Sequence, residues 1–274
     1  MSVEVGKGGL YFLKQAAASI LPPDYYVRIR TMMHGAIDRV KYPRIIPVNI
    51  GNTSFILEVQ NRRQADMIDG RYNEVDFTLA LQDRLREDDI IYNVGAAYGL
   101  LALPLGMRCP NTVDVFAFEP DYELGIDLAQ NILLNNAGNI HPYQIAIGNF
   151  NGTVDLQTSG RGGNAPQTTG TCNAGFMFRR PVTLRSIESL VSNSGLPAPT
   201  FLTVDVEGYA MHVLEGLRNI KPRVIAIEVH PGRGGIKPET LAGIEDSIGP
   251  DYKIVYNKPR GGEIHTIWAS SAWE

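Results

Sequence analysis

Cysteine is nearly absent: Cys109 and Cys172 are the only two in 274 residues. Two cysteines make neither a disulfide framework nor a metal cluster, and they read as plain thiols in a reducing compartment. Long apolar runs are missing, and no stretch reaches membrane-spanning length. The chain does not open on a basic segment followed by a long apolar one, so no secretory signal is expected. Positive charge is not in excess. Twenty-five Lys and Arg face 29 Asp and Glu, for a net charge of −4 and a pI near 5.8, which argues against a dedicated nucleic-acid binder. Together these absences place the protein in the cytosol. What remains is ordinary globular material, 44% hydrophobic and 20% charged, long enough for one large α/β domain with an appendage.

The chain is organised around Ile90–Gly99, IIYNVGAAYG. Ile90, Ile91 and Tyr92 are a short apolar run of strand formers, Gly95 and Gly99 bracket a turn, and Leu100–Leu105 reads as a buried helix start. Strand, glycine turn and helix offer backbone N–H groups to a ligand. A Cβ at either glycine would hold that ligand off the backbone. A second strand, Val113–Phe118, ends in Glu119-Pro120. A carboxylate at such a strand end is the usual partner of a ribose diol.

Before this centre, Leu10–Leu21 and Asp24–Tyr42 have helical composition, stopped by Pro22-Pro23 and Pro43. Ile45–Ile50 and Ser54–Val59 alternate around Gly51-Asn52 as a β-hairpin. Residues 1–72 therefore read as a helical and hairpin segment, a packed appendage that also offers a homo-oligomer contact. Residues 73–274 read as the main domain. Within it Glu74–Arg86 is an amphipathic helix, and Pro104 kinks or shortens the helix after Gly99. Tyr122–Asn136 is a helix. Tyr143–Ile147 and Thr153–Gln157 are strands, Ser159–Gly175 is a long glycine-rich loop, and Thr183–Ser192 is helical. Thr200–Val206 is a strand followed by a helix to Leu217. Arg223–Val229 is a strand, Pro238–Ile248 a helix, and Tyr252–Asn257 with Glu263–Ser270 a closing hairpin. Strands alternating with helices imply a parallel sheet covered on both faces, and the hairpin adds an antiparallel strand at its edge.

In such a sheet, ligands bind beyond the carboxyl ends of the strands. Four expected strand ends carry polar groups: Asn93, Glu119, Asp205 with Glu207, and Glu228 with His230. Residues two apart share a face, so Thr203 pairs with Asp205 and Glu228 with His230.

The stretches NVGAAYG, FAFEP, TVDVEGYAMHVLEGL and VIAIEVH resemble the FkbM-type methyltransferases over roughly Glu87 to Ala269. The resemblance implies a Rossmann-like class I methyltransferase fold with a seven-stranded sheet. It implies S-adenosylmethionine (SAM) as cofactor and a hydroxyl acceptor on a sugar, glycan or polyketide-like metabolite. Carried over by position, Asn93, Gly95, Ala97 and Gly99 line the methionine end of SAM. Glu119 takes the ribose hydroxyls, Ala146 lies beside the adenine, and Asp205 sits near the reacting methyl group. The chain departs from the family pattern at Asn93, usually Asp, at Ala97, usually Asn, and at Ala210, often Glu.

Methyl transfer to a hydroxyl needs alignment and a base for the departing proton. His230, with an ordinary pKa near ~6.5, suits that base and Asp205 suits acceptor positioning. Two other readings remain at this point. An NAD-dependent oxidoreductase also uses a glycine turn and a carboxylate, although G-x-x-x-G lacks the middle glycine of the dinucleotide pattern. A non-catalytic SAM-binding protein is the other. Asp205, Glu207 and Glu228 also have the oxygens for Mg²⁺, but no metal is expected from spacing alone.

Overall fold

A computed structural model describes residues 41–68, 74–158, 167–168, 178–233 and 239–273. Arg44–Ile50 and Thr53–Val59 form the hairpin β1–β2, closed by the two residues Gly51-Asn52. Arg62–Ile68 and Val75–Gln82 are helices α1 and α2. β3 (Ile90–Val94) leads through the glycine turn into α3 (Ala102–Gly106), only five residues long, with Pro104 inside it. β4 (Asp114–Phe118), α4 (Tyr122–Leu134) and β5 (Ile140–Tyr143) follow. Then come β6 (Ala146–Ile147), β7 (Gly152–Thr158), β8 (Gln167–Thr168), β9 (Phe178–Arg185) and α5 (Ile187–Ser192). The chain closes with β10 (Phe201–Val204), α6 (Ala210–Glu215), β11 (Val224–Val229), α7 (Leu241–Ile248) and the hairpin β12 (Tyr252–Arg260) and β13 (Glu263–Ser270).

Seven strands make the main sheet in the order β12-β13-β11-β10-β3-β4-β5. β5, β4, β3, β10 and β11 pair in parallel, and β13 runs antiparallel between β11 and the edge strand β12. Side-chain alternation divides the core in two. Ile91, Val115, Phe201, Val224, Ala226 and Ile267 face α2, α3 and α4. Tyr92, Phe118, Leu202, Ile225, Ile227 and Trp268 face α5, α6 and α7. The hairpin belongs to the first side, where Phe55, Leu57 and Val59 join the same cluster as Leu103 and Leu128. No helix among the described residues is long and apolar enough to cross a membrane.

Two expected elements differ. Tyr143–Ile147 is not one strand. Pairing with β4 ends at Phe118↔Tyr143, and β6 joins a separate four-stranded sheet, β6-β9-β7-β8, where Ala146 pairs with Leu184. The helix expected over Thr183–Ser192 starts later. Pro181-Val182-Thr183 pair with Val154 and its neighbours in β7, and Ser186 caps α5 by accepting from Ser189 N–H at 3.1 Å. Local strand formers win up to Arg185, and the cap sets the helix start. The helices expected before Pro43 lie outside the described residues, apart from Lys41 and Tyr42, as does the 159–175 loop apart from β8.

Two asparagines tie the hairpin to the site region. The Asn135 side chain accepts from Ile56 N–H at 2.8 Å and donates to Ile56 C=O at 2.7 Å. Fully buried Asn131 accepts from Glu58 N–H at 2.7 Å and donates to Tyr98 C=O, inside the glycine turn, at 2.9 Å. Asn131→Leu keeps the volume but removes the side-chain partner of Glu58 N–H, Glu58 C=O and Tyr98 C=O, at about 1–3 kcal/mol for each group left unpaired. The urea midpoint should fall while the denaturant slope holds.

Candidate active site

Asn93, Thr203, Asp205, Glu228 and His230 sit where one face of the sheet changes character. On β3 the face runs from Ile91 to Asn93, on β10 from Phe201 to Thr203 and on to Asp205, and on β11 from Ala226 to Glu228 and His230. The registers Asn93↔Thr203↔Ala226 and Glu228↔His265 put these changes on one rim. Being antiparallel, β13 delivers its amino end, Glu263 and His265, to the same place. The helix side adds Glu74, just before α2, whose carboxylate meets Arg260 of β12 at 3.1 Å.

The glycine turn is held by its neighbours. Gly95 and Ala96 N–H both donate to Phe118 C=O, at 2.9 and 3.0 Å. Two of the N–H groups expected for a ligand are therefore spent on β4. Gly95 has φ +84°, and a Cβ there would lie 1.9 Å from the Asp205 carbonyl oxygen. Its need for glycine is a backbone-to-backbone approach, not the ligand clearance expected from the sequence. At Gly99, φ +100°, a Cβ would meet only the ends of Leu128 and Leu103 at 3.2 and 3.3 Å. Ala97 also has positive φ, +47°.

Glu119 is buried and completes the turn. One carboxylate oxygen accepts from Ala97 N–H and the other from Asp121 N–H, both at 2.8 Å. Burial pushes its pKa up to about 7 against the lowering effect of these two bonds. Each oxygen keeps a free lone pair. Asn93, 1% exposed, donates to Thr203 Oγ1 at 2.9 Å, and its Oδ1 has no partner among the described residues. Ala146 is buried at the start of β6.

Around Asp205 the charges crowd. His230 Nε2 lies 3.3 Å from Glu228, 3.6 Å from Glu207 and 3.9 Å from Glu263. His265 Nε2 meets the other Glu228 oxygen at 3.1 Å and its ring stacks on Phe77. Arg233 closes on Glu207. Of the six carboxylates here, Glu74, Asp205, Glu207, Glu228, Glu239 and Glu263, only Asp205 is exposed. It is exposed at its surface, yet the surrounding protein still desolvates the carboxyl. That desolvation, with Glu228, Glu74 and Glu263 close by, raises its pKa well above the usual carboxylate range. Burial would raise Glu228 too, but hydrogen bonds from His230, His265 and Glu263 hold it far below. Burial and the bond to Glu228 push Glu263 up to about 7.

His230 departs from the expectation of a neutral base. It is 3% exposed. Burial lowers its pKa, but the bond to Glu228 and the Asp205 and Glu239 charges outweigh that and push it up to about 9. It is an imidazolium at neutral pH and has no proton vacancy to offer.

Asp205, Glu228 and His230, like Glu74, Glu228 and His265, present ligand-type atoms within 4.8 Å of one another. Glu74, Glu263, His265, Arg260 and Glu239 were missed in the sequence. Of these, His265 had a signal: it stands two residues from Glu263 on the closing strand, the same spacing as Glu228 and His230.

Residues 93–252, more than half the chain, match the methyltransferase FkbM domain. The chain belongs to this family. Membership removes the oxidoreductase reading. Hexuronic acid methyltransferase AglP of Haloferax volcanii is 28% identical over 161 residues, which cover 58% of this chain and 63% of that protein. The match thus spans just under two thirds of the relative. The 16S rRNA N2 G1207 methyltransferase of T. thermophilus, solved with AdoMet and guanosine, superposes with a TM-score of 0.51 at 14% identity. It covers 83% of this chain and 50% of that one. This likeness is one of fold, the Rossmann-like class I methyltransferase fold. Within the FkbM domain the departures have physical counterparts here: Asn93 is tied to Thr203, and Ala97 holds its place in the turn through its backbone bond to Glu119.

Gly95→Ala and Gly99→Ala each carry the left-handed strain of about 1–2 kcal/mol. Only the first also drives a methyl into main chain. Thermal denaturation should show a clearly larger loss for Gly95→Ala, and equal losses would deny the close approach to Asp205.

Proposed function

We propose that the protein moves a methyl group from SAM to a hydroxyl of a sugar, glycan or secondary metabolite. The observation that carries this reading is the meeting of the glycine turn with the end of β10: the Asp205 main chain lies directly against Gly95, and the residue is exposed there. The family match and the name of the AglP relative support the reaction and the sugar acceptor.

The residues fit the cofactor. Asn93 Oδ1 is a buried acceptor lacking a donor, as an ammonium group would supply. The free lone pairs of Glu119 suit a ribose diol, and the excess of carboxylates at the rim suits a cation. Gly95, Ala97 and Gly99 shape the turn, and Ala146 is assigned to the adenine by the family pattern. SAM, when bound, supplies a methyl group on a sulfonium. Asp205 then orients the acceptor hydroxyl and takes its proton, because its raised pKa makes it a better base than an ordinary carboxylate. His230, earlier the expected base, serves behind it as a fixed positive charge that keeps Glu228 ionised. The cytosolic setting and a homo-oligomer contact through residues 1–72 are part of the same proposal.

The test is incubation with SAM and a panel of glycosides, hexuronic acids among them, read by mass spectrometry. A methylated acceptor is expected. SAM binding without any product would leave the non-catalytic reading in its place, and no SAM binding would remove both. Asp205→Asn should cut turnover by ~10²-fold or more with SAM affinity nearly kept.

Glu119 makes the binding pH-dependent. Ribose hydroxyls donate, so they favour the ionised carboxylate. SAM affinity should therefore rise as pH passes through about 7 and level off above it. Glu119→Gln should flatten that profile and weaken binding about ten- to a hundredfold by calorimetry.

A further inference from the structure

Glu239 is a completely buried carboxylate, 0% exposed, on the segment between β11 and α7. One oxygen accepts from Ala210 N–H at the start of α6, and the other from His230 N–H just beyond β11, both at 2.8 Å. Its own backbone closes the loop: Gly232 N–H donates to Glu239 C=O, and Glu239 N–H donates to Arg233 C=O. Thus one side chain joins the segment that follows Asp205 to the strand end that carries Glu228 and His230. The same oxygen that holds His230 N–H lies 3.9 Å from His230 Nδ1, a buried ring nitrogen with no hydrogen-bond partner among the described residues. The opposite ring nitrogen faces Glu228 at 3.3 Å. A carboxylate is also what the family pattern often places at position 210 itself, where this chain has Ala210. Here a carboxylate reaches the Ala210 backbone from a distant segment.

We propose that Glu239 is a positioning residue of the methyl-transfer site: its carboxylate fixes the end of β11 against the start of α6 and orients the His230 ring, Nδ1 toward itself and Nε2 toward Glu228. The role in turnover rests on the methyltransferase reading; the orientation of His230 does not. Fully buried, Glu239 costs stability unless its charge is used, and two backbone donors with the facing His230 ring use it. The ring is faced by Glu228 of β11, by Asp205 and Glu207 beyond β10, by Glu263 of β13 and by Glu239. Among the described residues, Glu239 is the carboxylate within ion-pair distance of Nδ1.

The test follows the His230 ring by ¹⁵N NMR across pH, with the resonance assigned by loss in His230→Asn. In the unaltered protein the ring should be protonated at pH 7.5, and a neutral ring there overturns the proposal. Glu239→Gln keeps the shape and removes the charge, so the His230 midpoint should drop by at least about one pH unit, a tenfold change in proton affinity. A folded Glu239→Gln with an unmoved midpoint overturns the proposal, because a merely structural residue would not move it. If that variant does not fold, Glu239→Asp decides: the shorter arm draws the charge back, so a smaller drop is expected and none overturns it. In the methylation assay Glu239→Gln should lower kcat tenfold or more with the KM for SAM within about twofold. Absence of methyl transfer by the unaltered protein would refute the reaction, while the titration would still decide what Glu239 does to His230.

Discussion

The contact on which the site depends is the approach of the Gly95 backbone to the Asp205 carbonyl. Asp205 N–H donates to Val94 C=O at 2.9 Å, so the ladder between β3 and β10 runs one residue past the end of β10. No side chain fits between them. The turn that follows β3 and the acid that follows β10 are therefore one rigid piece. Glu119 extends it to β4 by binding Ala97 and Asp121 N–H. Three strand ends move together or not at all.

Beyond this rigid corner the rim is held by charge. Glu228 stands at the centre, gripped by His230 on one oxygen and His265 on the other. Hydrogen bonds from His230, His265 and Glu263 hold the Glu228 carboxyl far below its usual range, while those of Glu263 and Asp205 are raised. Such a division of roles among neighbouring carboxylates arises when like charges cannot all ionise in a confined space. The exposed member, Asp205, is among those whose pKa is raised.

The sheet was legible because its strands are short apolar runs whose alternation survives in the structure, residue by residue, from Ile91 and Tyr92 to Ile225 and Ala226. The rim was half legible. Asn93, Glu119, Asp205, Glu228 and His230 follow from the rule that parallel strands end at the ligand side. Glu263 and His265 escaped that rule because an antiparallel strand brings its beginning to the rim. Glu74 and Glu239 reach the rim from segments outside the strands, and nothing local marks such a residue. The charge state of His230 was also out of reach, since it depends on carboxylates from four separate segments. The strand–helix boundary at Ser186 was misplaced because helical composition after the cap masked the β-branched run before it.

Asn131 and Asn135 have one more consequence. In an antiparallel hairpin every second residue turns its N–H and C=O outward, and on β2 these include Ile56 and Glu58. The two amides occupy both groups of both residues. An open edge of this kind is a template on which another chain can add a strand. Helix α4 thus acts as a stopper, imitating the neighbour that β2 lacks. Local fraying of that helix, rather than unfolding of the sheet, is what would uncover a surface prone to self-association.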